Sequence, residues 1–486
     1  MKTRLILKEG ANPNYLATIC QIKEIYPIEG ADRVVKTVIN GYDMIISKDI
    51  KIGDVVVYVP VETVICHEFL SRNNFYDVSC YELNENKEEV EKLLEQRKSM
   101  ESKLSNEYKE VDKEIKSKCG FFNRHGRVRI LKLRGQYSMG FLIPWEQLLH
   151  SMGLDMTLQP EIGYQFNYVG DIEFCKKYIV AHKENEHVGV GKGDKATRRA
   201  YKRFNRLIED TFQFHYDTKQ LGEHFYTINP TDYVSISVKC HGTSGIFANI
   251  PTRRELKWYE KVKKFFGLKV SDIVYDNIYS SRKVIKNKYI NEKADTGYYS
   301  NDTWGVVNEL LKPYIDHDMT VYGEIVGYEP GTSKCIQKNP DHDYGCRPGE
   351  WKFMPYRIVT GADRKEWNVN AVYNWTVGLI WEHPELKNNL MPIEILYMGQ
   401  MKDLYPDIPV DDNWHMNVLE RMKNDTENFG MELDEPLCFK KVPREGIVIR
   451  IDNDKFPRAW KLKCKRHYTM EAKQHDNGDV DIEEEN

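Results

Sequence analysis

Lys239 closes a β-type stretch and opens the run Val238-Lys239-Cys240-His241-Gly242-Thr243-Ser244-Gly245. Four blocks follow it in order: Ser281-Arg282, Tyr322-Gly323-Glu324, Arg444-Glu445-Gly446-Ile447-Val448-Ile449-Arg450 and Lys461-Leu462-Lys463. A lysine, two glutamates and a later lysine pair suit nucleotidyl transfer through a lysine phosphoramide. The nucleophile must first lose a proton that an ordinary lysine holds to about pH 10.4. Neighbouring cations loosen that proton by disfavouring the charged form, and Lys461, Lys463 and a bound metal are candidates for the task. Gly242 leaves the backbone beside the nucleotide free of a Cβ. Each block alone is weak; their order and spacing carry the signal.

Glu324 stands inside an apolar strand-like run, Thr320 to Gly327. A charge is rarely buried unless paired, so this carboxylate is expected to face a site. Glu445 heads a second such strand. Two carboxylates beside a triphosphate suggest a ribose contact for one and a metal ligand for the other. Two structural ion pairs are the plainer alternative for either taken alone. Lys461 and Lys463, two apart, share one strand face and can reach the same phosphate.

The elements that must position these residues are mostly strands. Leu5–Leu7, Tyr15–Ile19, Val34–Ile39, Met44–Ile46 and Val55–Val59 are rich in β-branched and aromatic residues, with Asn40-Gly41 as a hairpin signal. A further stretch, Arg127–Arg134, runs on to Phe141–Pro144. Several short strands in a small domain predict a compact barrel of OB type. Residues 81–118 interrupt it with Glu and Lys, and Leu104, Tyr108, Val111 and Ile115 recur at helical spacing, which predicts an inserted helical hairpin. Between 176 and 206, ten Lys or Arg face three acids, either a phosphate-contacting stretch or a solvated linker. Residues 253–269 crowd Arg253, Arg254, Lys257, Lys261, Lys263, Lys264 and Lys269 around Trp258, Phe265 and Phe266, as an RNA-binding insertion or a helix with a solvated basic face.

The whole chain is 486 residues, 41% apolar and 30% charged, with a net charge of −4. That composition excludes a disordered chain and allows two to four domains. No stretch reaches the roughly 18 apolar residues of a membrane span, and Met1-Lys2-Thr3-Arg4 leads into no secretory core. The ten cysteines form no CxxC pair, so neither a zinc site nor a disulfide framework is indicated. A reducing cytoplasm, the protein's own or a host's, is the expected location.

Residues 228–470 resemble the nucleotidyltransferase domain of the covalent ligase and capping-enzyme superfamily, and within it ATP-dependent RNA ligases. Lys239-Cys240-His241-Gly242, Ser281-Arg282, Tyr322-Gly323-Glu324, Pro355-Tyr356-Arg357-Ile358, Glu445-Gly446-Ile447-Val448 and Lys461-Leu462-Lys463 match its motifs in order. Ile25–Asp32, Gly53–Pro60 and Leu133-Arg134-Gly135 with Ser138 and Gly140 resemble the OB domain placed ahead of the catalytic domain in one class of these ligases. DNA ligases and capping enzymes generally carry their OB domain behind it, and too short a stretch follows Lys463 for a barrel.

The resemblance implies an α+β fold: an N-terminal OB-fold β-barrel over 1–165, a basic linker over 166–227, a nucleotidyltransferase domain of ATP-grasp-like antiparallel sheets with flanking helices over 228–470, and an acidic tail over 471–486. It implies ATP and Mg²⁺ or Mn²⁺ as cofactors, with AMP carried on Lys239. Arg282 would contact nucleotide or RNA end, Glu324 the ribose and Tyr356 the adenine. Glu445 would serve the metal, and Lys461 and Lys463 the α-phosphate. The implied partner is RNA with 3′-hydroxyl and 5′-phosphate ends, as in a nicked duplex, gripped by a monomer through such residues as Lys132, Arg134 and Tyr137, with no membrane involved. One position departs from the pattern, which usually reads Lys-x-Asp-Gly: His241 stands for the aspartate, as a titrating group or a purely structural histidine. The alternatives are a DNA-joining or capping enzyme, and an RNA-binding protein whose nucleotidyltransferase domain is silent.

Overall fold

The computed structural model describes residues 4–100, 105–180, 211–286, 299–338, 341–429, 437–452 and 458–477. In the N-terminal unit, Met1–Tyr178, β1 (Ala17–Gln21) lies in a different sheet from β2 (Val34–Ile39) and β3 (Tyr42–Ser47). Asn40 and Gly41 join β2 to β3 with φ of 49° and 77°, the two left-handed residues that a type I′ turn needs. β4 (Val55–Val59) pairs antiparallel with β1. Arg134 and Gly135, at φ 50° and 83°, turn a second tight hairpin between β5 (Leu131–Leu133) and β6 (Gln136–Ser138). β7 (Phe141–Pro144) and β8 (Gln165–Phe166) complete a four-stranded antiparallel sheet in the order β7-β4-β1-β8.

Its inward side chains, among them Ile19, Val57, Val59 and Phe166, pack on Phe69, Phe122 and Leu148. The closed barrel expected from the sequence is not formed by strand pairing among the described residues. Strands of two or three residues give ladders too short to link the four-stranded sheet to its smaller neighbours. Residues 81–118 hold two helices, α1 (Lys87–Lys98) and α2 (Asn106–Lys118). They bury Val90, Val111 and Ile115 against each other, and Ser105 caps α2 by accepting from the Tyr108 N–H. Helix α3 (Trp145–Met152) adds Leu148 and Leu149 to the core of the four-stranded sheet.

The second unit spans Ile179–Asn486 and is built on two five-stranded sheets. The first has β9 (Lys219–Gln220), β10 (Tyr233–Lys239), β16 (Ile395–Gln400), β17 (Gly446–Ile451) and β18 (Arg458–Lys463), in the order β9-β18-β17-β10-β16. The second has β11 (Thr243–Arg253), β12 (Ile273–Ser280), β13 (Met319–Gly327), β14 (Trp351–Thr360) and β15 (Lys365–Glu366), in the order β12-β11-β13-β14-β15. All their pairings are antiparallel except that of β9 with β18.

The chain passes from one sheet to the other at Cys240–Gly242. A Cβ on Gly242 would lie 2.3 Å from the Ile325 carbonyl oxygen, so only glycine lets β13 come this close. Helix α4 (Trp258–Phe265) sits between β11 and β12 and buries none of its residues; Trp258, Phe265 and Phe266 are exposed. Helix α5 (Thr303–Leu311) covers the second sheet through Trp304, which is fully buried and donates its indole N–H to the Ser244 carbonyl at 3.0 Å. α6 (Val369–Glu382) adds Val372 to the same core. α7 (Trp414–Phe429) sets Trp414, Val418 and Met422 against β17 and β18, and α8 (Lys465–Asp476) follows β18 directly.

β9 lies within the 166–227 stretch and α8 runs through residue 470. Most of the basic run 176–206, and the tail beyond residue 477, lie outside the described residues. Among the described residues the ten cysteines form no disulfide. Among the described residues no helix is long and apolar enough to cross a membrane.

Candidate active site

β10, β17 and β18 deliver three charged side chains to one point. Register places Lys239 opposite Gly446 and Gly446 opposite Lys463, so the ends of the three strands are level. Glu445, just ahead of β17, is buried and bridges the two lysines: its Oε2 lies 2.7 Å from Lys239 Nζ and its Oε1 2.9 Å from Lys463 Nζ. Burial alone would raise its carboxyl, but the two ammonium groups hold it well below the usual carboxylate range. Lys463 also meets Glu471 Oε1 at 2.8 Å. Set against its burial, the two carboxylates push its ammonium well above the ordinary lysine value.

Lys461, on the same face of β18, pairs with no carboxylate at salt-bridge distance among the described residues. Burial, then Lys463 and Lys239, lower it to about 7. Burial and neighbouring cations thus loosen the proton of Lys461.

Glu324 reaches the same cleft from β13 and accepts the Gly242 N–H at 3.1 Å. Burial, reinforced by the charge of Glu445 and opposed by Lys239, raises it to about 7. Tyr356 on β14 lies with its hydroxyl 3.5 Å from Ser244 Oγ and its ring edge-on to His215, centroids 5.3 Å apart. Arg282, just past β12, forms an ion pair with Asp217. Every residue that the sequence assigned to the nucleotide, the metal or the chemistry thus lies in the second unit, around the junction of its two sheets.

Five further residues belong to this site and had no place in the sequence reading: His215, Asp217, His342, His467 and Glu471. His241 faces His467 at 4.7 Å and His342 at 5.1 Å between ring centroids, both edge-on. Burial and these neighbouring imidazoles hold His241 well below the ordinary histidine value, and it is therefore neutral at neutral pH. His241 Nδ1 is 4.0 Å from Glu445 Oε2. His467 and Glu471 carried a signal that could have been found, since a spacing of four just after Lys463 puts both on one helix face. His215 and Asp217, in an irregular stretch before β9, carried none.

No protein-family model matches the chain, and no curated protein matches it by sequence. Solved structures do match. A Naegleria gruberi RNA ligase variant with AMP and Mn superposes at a TM-score of 0.53, 14% identical, over 95% of this chain and 99% of that one. A variant with ATP and Mn gives 0.52 at 14% identity over 96% and 100%, and the ligase with PPi gives 0.50 at 16% over 95% and 99%. The chain has an RNA ligase fold. The likeness to that ligase spans both units, and within the ligase fold Lys239, Glu445 and Lys463 occupy the level ends of adjacent strands at the junction of the sheets.

Proposed function

We propose that the chain is an ATP-dependent RNA ligase that seals a 3′-hydroxyl to a 5′-phosphate through a lysyl-AMP intermediate. One observation carries this reading most: a single buried carboxylate, Glu445, holds Lys239 and Lys463 within 2.9 Å of its two oxygens, beside Lys461, Glu324, Arg282 and Tyr356. Structural ion pairs do not need a half-buried, unpaired lysine beside them; a phosphate-binding cleft does.

In the first step Lys239 leaves Glu445, gives up a proton to solvent and attacks the α-phosphorus of ATP. The N–P bond forms as the bond from that phosphorus to the β-phosphate's bridging oxygen breaks, and pyrophosphate departs. Lys461 and Lys463 hold the α-phosphate and offset the charge that builds on it. Glu324 holds the ribose and Tyr356 the adenine, with the His215 ring beside it. The 5′-phosphate of RNA then displaces Lys239 from the AMP, and the 3′-hydroxyl displaces AMP from the capped end. Arg282 faces nucleotide or RNA end, and Asp217 orients it.

Glu445, with its neighbouring imidazoles, would hold the divalent ion, which neutralises phosphate charge when bound. On this reading residues 1–165 form an OB-type RNA-binding domain with an insertion at 81–118, residues 228–470 form the catalytic domain, and the protein acts as a cytoplasmic monomer.

The test is incubation with α-labelled ATP and Mn²⁺ or Mg²⁺, followed by a denaturing gel. Label on the wild type and none on Lys239→Ala is the expected result. Wild type that stays unlabelled, with intact mass excluding pre-bound AMP, ends the ligase reading in favour of a silent RNA-binding protein. Comparing nicks with RNA or DNA 3′-ends then separates RNA joining from DNA joining.

A further inference from the structure

We propose that His241, Glu445 and His467 form a binding site for a divalent transition ion of the Mn²⁺, Co²⁺ or Zn²⁺ class, in preference to Mg²⁺. One potential ligand atom from each residue lies within 4.8 Å of the others. Bonds of about 2.0–2.2 Å to nitrogen and oxygen put neighbouring ligands of a tetrahedral ion about 3.4 Å apart, so a contraction of at most about 1.5 Å closes the set around an ion.

The second observation is the state of the rings. His467 is fully buried, yet among the described residues its Nε2 has no hydrogen-bond partner, its Nδ1 meets only Glu471, and Nε2 of His241 has no partner either. Buried polar atoms are nearly always satisfied, and three imidazoles packed edge-on are a poor environment for one another's protons. Neutral imidazole with a free lone pair is instead the form that coordinates a metal. Glu471, with Oε1 3.6 Å from His467 Nδ1, is the neighbouring carboxylate able to fix that ring's tautomer. His342 donates nothing through Nδ1, approaches the Pro443 carbonyl through Nε2 at 3.4 Å, and forms the third wall.

Two nitrogens and one carboxylate select against Mg²⁺, which favours oxygen ligands and water, and for borderline transition ions. The ammonium groups of Lys239 and Lys463 on the same carboxylate oppose any dication, so selectivity rather than extreme affinity is the expected property. The inference rests on the reading above only in that Glu445 serves a divalent ion.

The test therefore needs neither nucleotide nor RNA, and its failure is distinct from failure to form lysyl-AMP. Tag-free full-length protein is titrated calorimetrically with Co²⁺ and separately with Mg²⁺, with the visible absorption of bound Co²⁺ recorded. Expected are one Co²⁺ per chain, binding roughly tenfold or more tighter than Mg²⁺, and a loss on the order of a hundredfold in Co²⁺ affinity in His467→Gln. His241→Asp, at a partly exposed position and checked by thermal melting, exchanges nitrogen for oxygen and narrows the Co²⁺ preference over Mg²⁺. Co²⁺ bound no more tightly than Mg²⁺, or with the same affinity and the same selectivity in wild type and in whichever variants fold, overturns the proposal.

Discussion

Lys461 and Lys463 sit two apart on one strand and experience opposite fields. Lys463 lies between two carboxylates and keeps its proton firmly. Lys461, half-buried beside Lys463, Lys239 and Arg282, whose charges outweigh that of Asp217, is lowered to about 7. Since the unfolded chain keeps that proton to about pH 10.5, unfolding takes up a proton anywhere between the two values. This lysine's burial therefore costs stability below pH 7, and the cost disappears as pH rises from about 7 to 10.5. A bound triphosphate reverses the local field and draws the proton back. At pH 8 nucleotide binding is expected to take up a fraction of a proton approaching one, read as a dependence of calorimetric heat on buffer ionisation enthalpy. Lys461→Met should remove most of that dependence. Uptake unchanged in the variant would place the proton on another group, with Glu324, also near 7, first in line.

The turn from β10 to β11 is the element on which the site depends, because it fixes Lys239 on one sheet and Glu324 against the backbone of the other. Gly242 permits it by close approach, not by a left-handed φ, and a methyl group there has nowhere to go. Gly242→Ala is expected to cost about 1–3 kcal/mol of stability by overpacking and to reduce lysyl-AMP formation more than tenfold, as urea unfolding and a labelling time course would record. A variant that labels at the wild-type rate would mean that the corner does not position the lysine. The importance of Gly242 was readable in the sequence, but its reason was not, since the clashing atom belongs to residue 325. The same distinction runs through the molecule. Strands with strict patterning, Val34–Ile39 and Val55–Val59, have the bounds expected of them, and the ordered blocks pointed to the residues that converge. Barrel closure was over-read from strand content, because ladder length is a tertiary property. The imidazole cluster stayed hidden because His241, His342 and His467 are distant in sequence and meet only where the turn after β10, the segment between β13 and β14, and α8 come together.

Across the whole molecule, the chemistry proposed for Lys239 requires only the second unit, whereas joining two RNA ends requires a grip on the polymer. The β5–β6 hairpin of the first unit exposes Lys132 and Arg134 at a tight turn, with the Lys132 ammonium 5.0 Å from the Tyr137 ring centroid. Cations beside an aromatic ring suit a phosphate backbone with an adjacent stacked base. A double variant, Lys132→Ala with Arg134→Ala, is therefore expected to leave lysyl-AMP formation within about twofold of wild type while weakening RNA binding. Each lost phosphate contact should lower the salt dependence of binding by about one in the slope of log affinity against log salt. The slope should thus fall by about two in the double variant, and sealing of a nick should slow most at low RNA concentration. Equal loss of labelling and sealing would make the hairpin part of the fold's stability, and loss of neither would move the RNA grip elsewhere. Only a loss of sealing with labelling preserved agrees with a division of labour in which one unit activates an end and the other holds the strand.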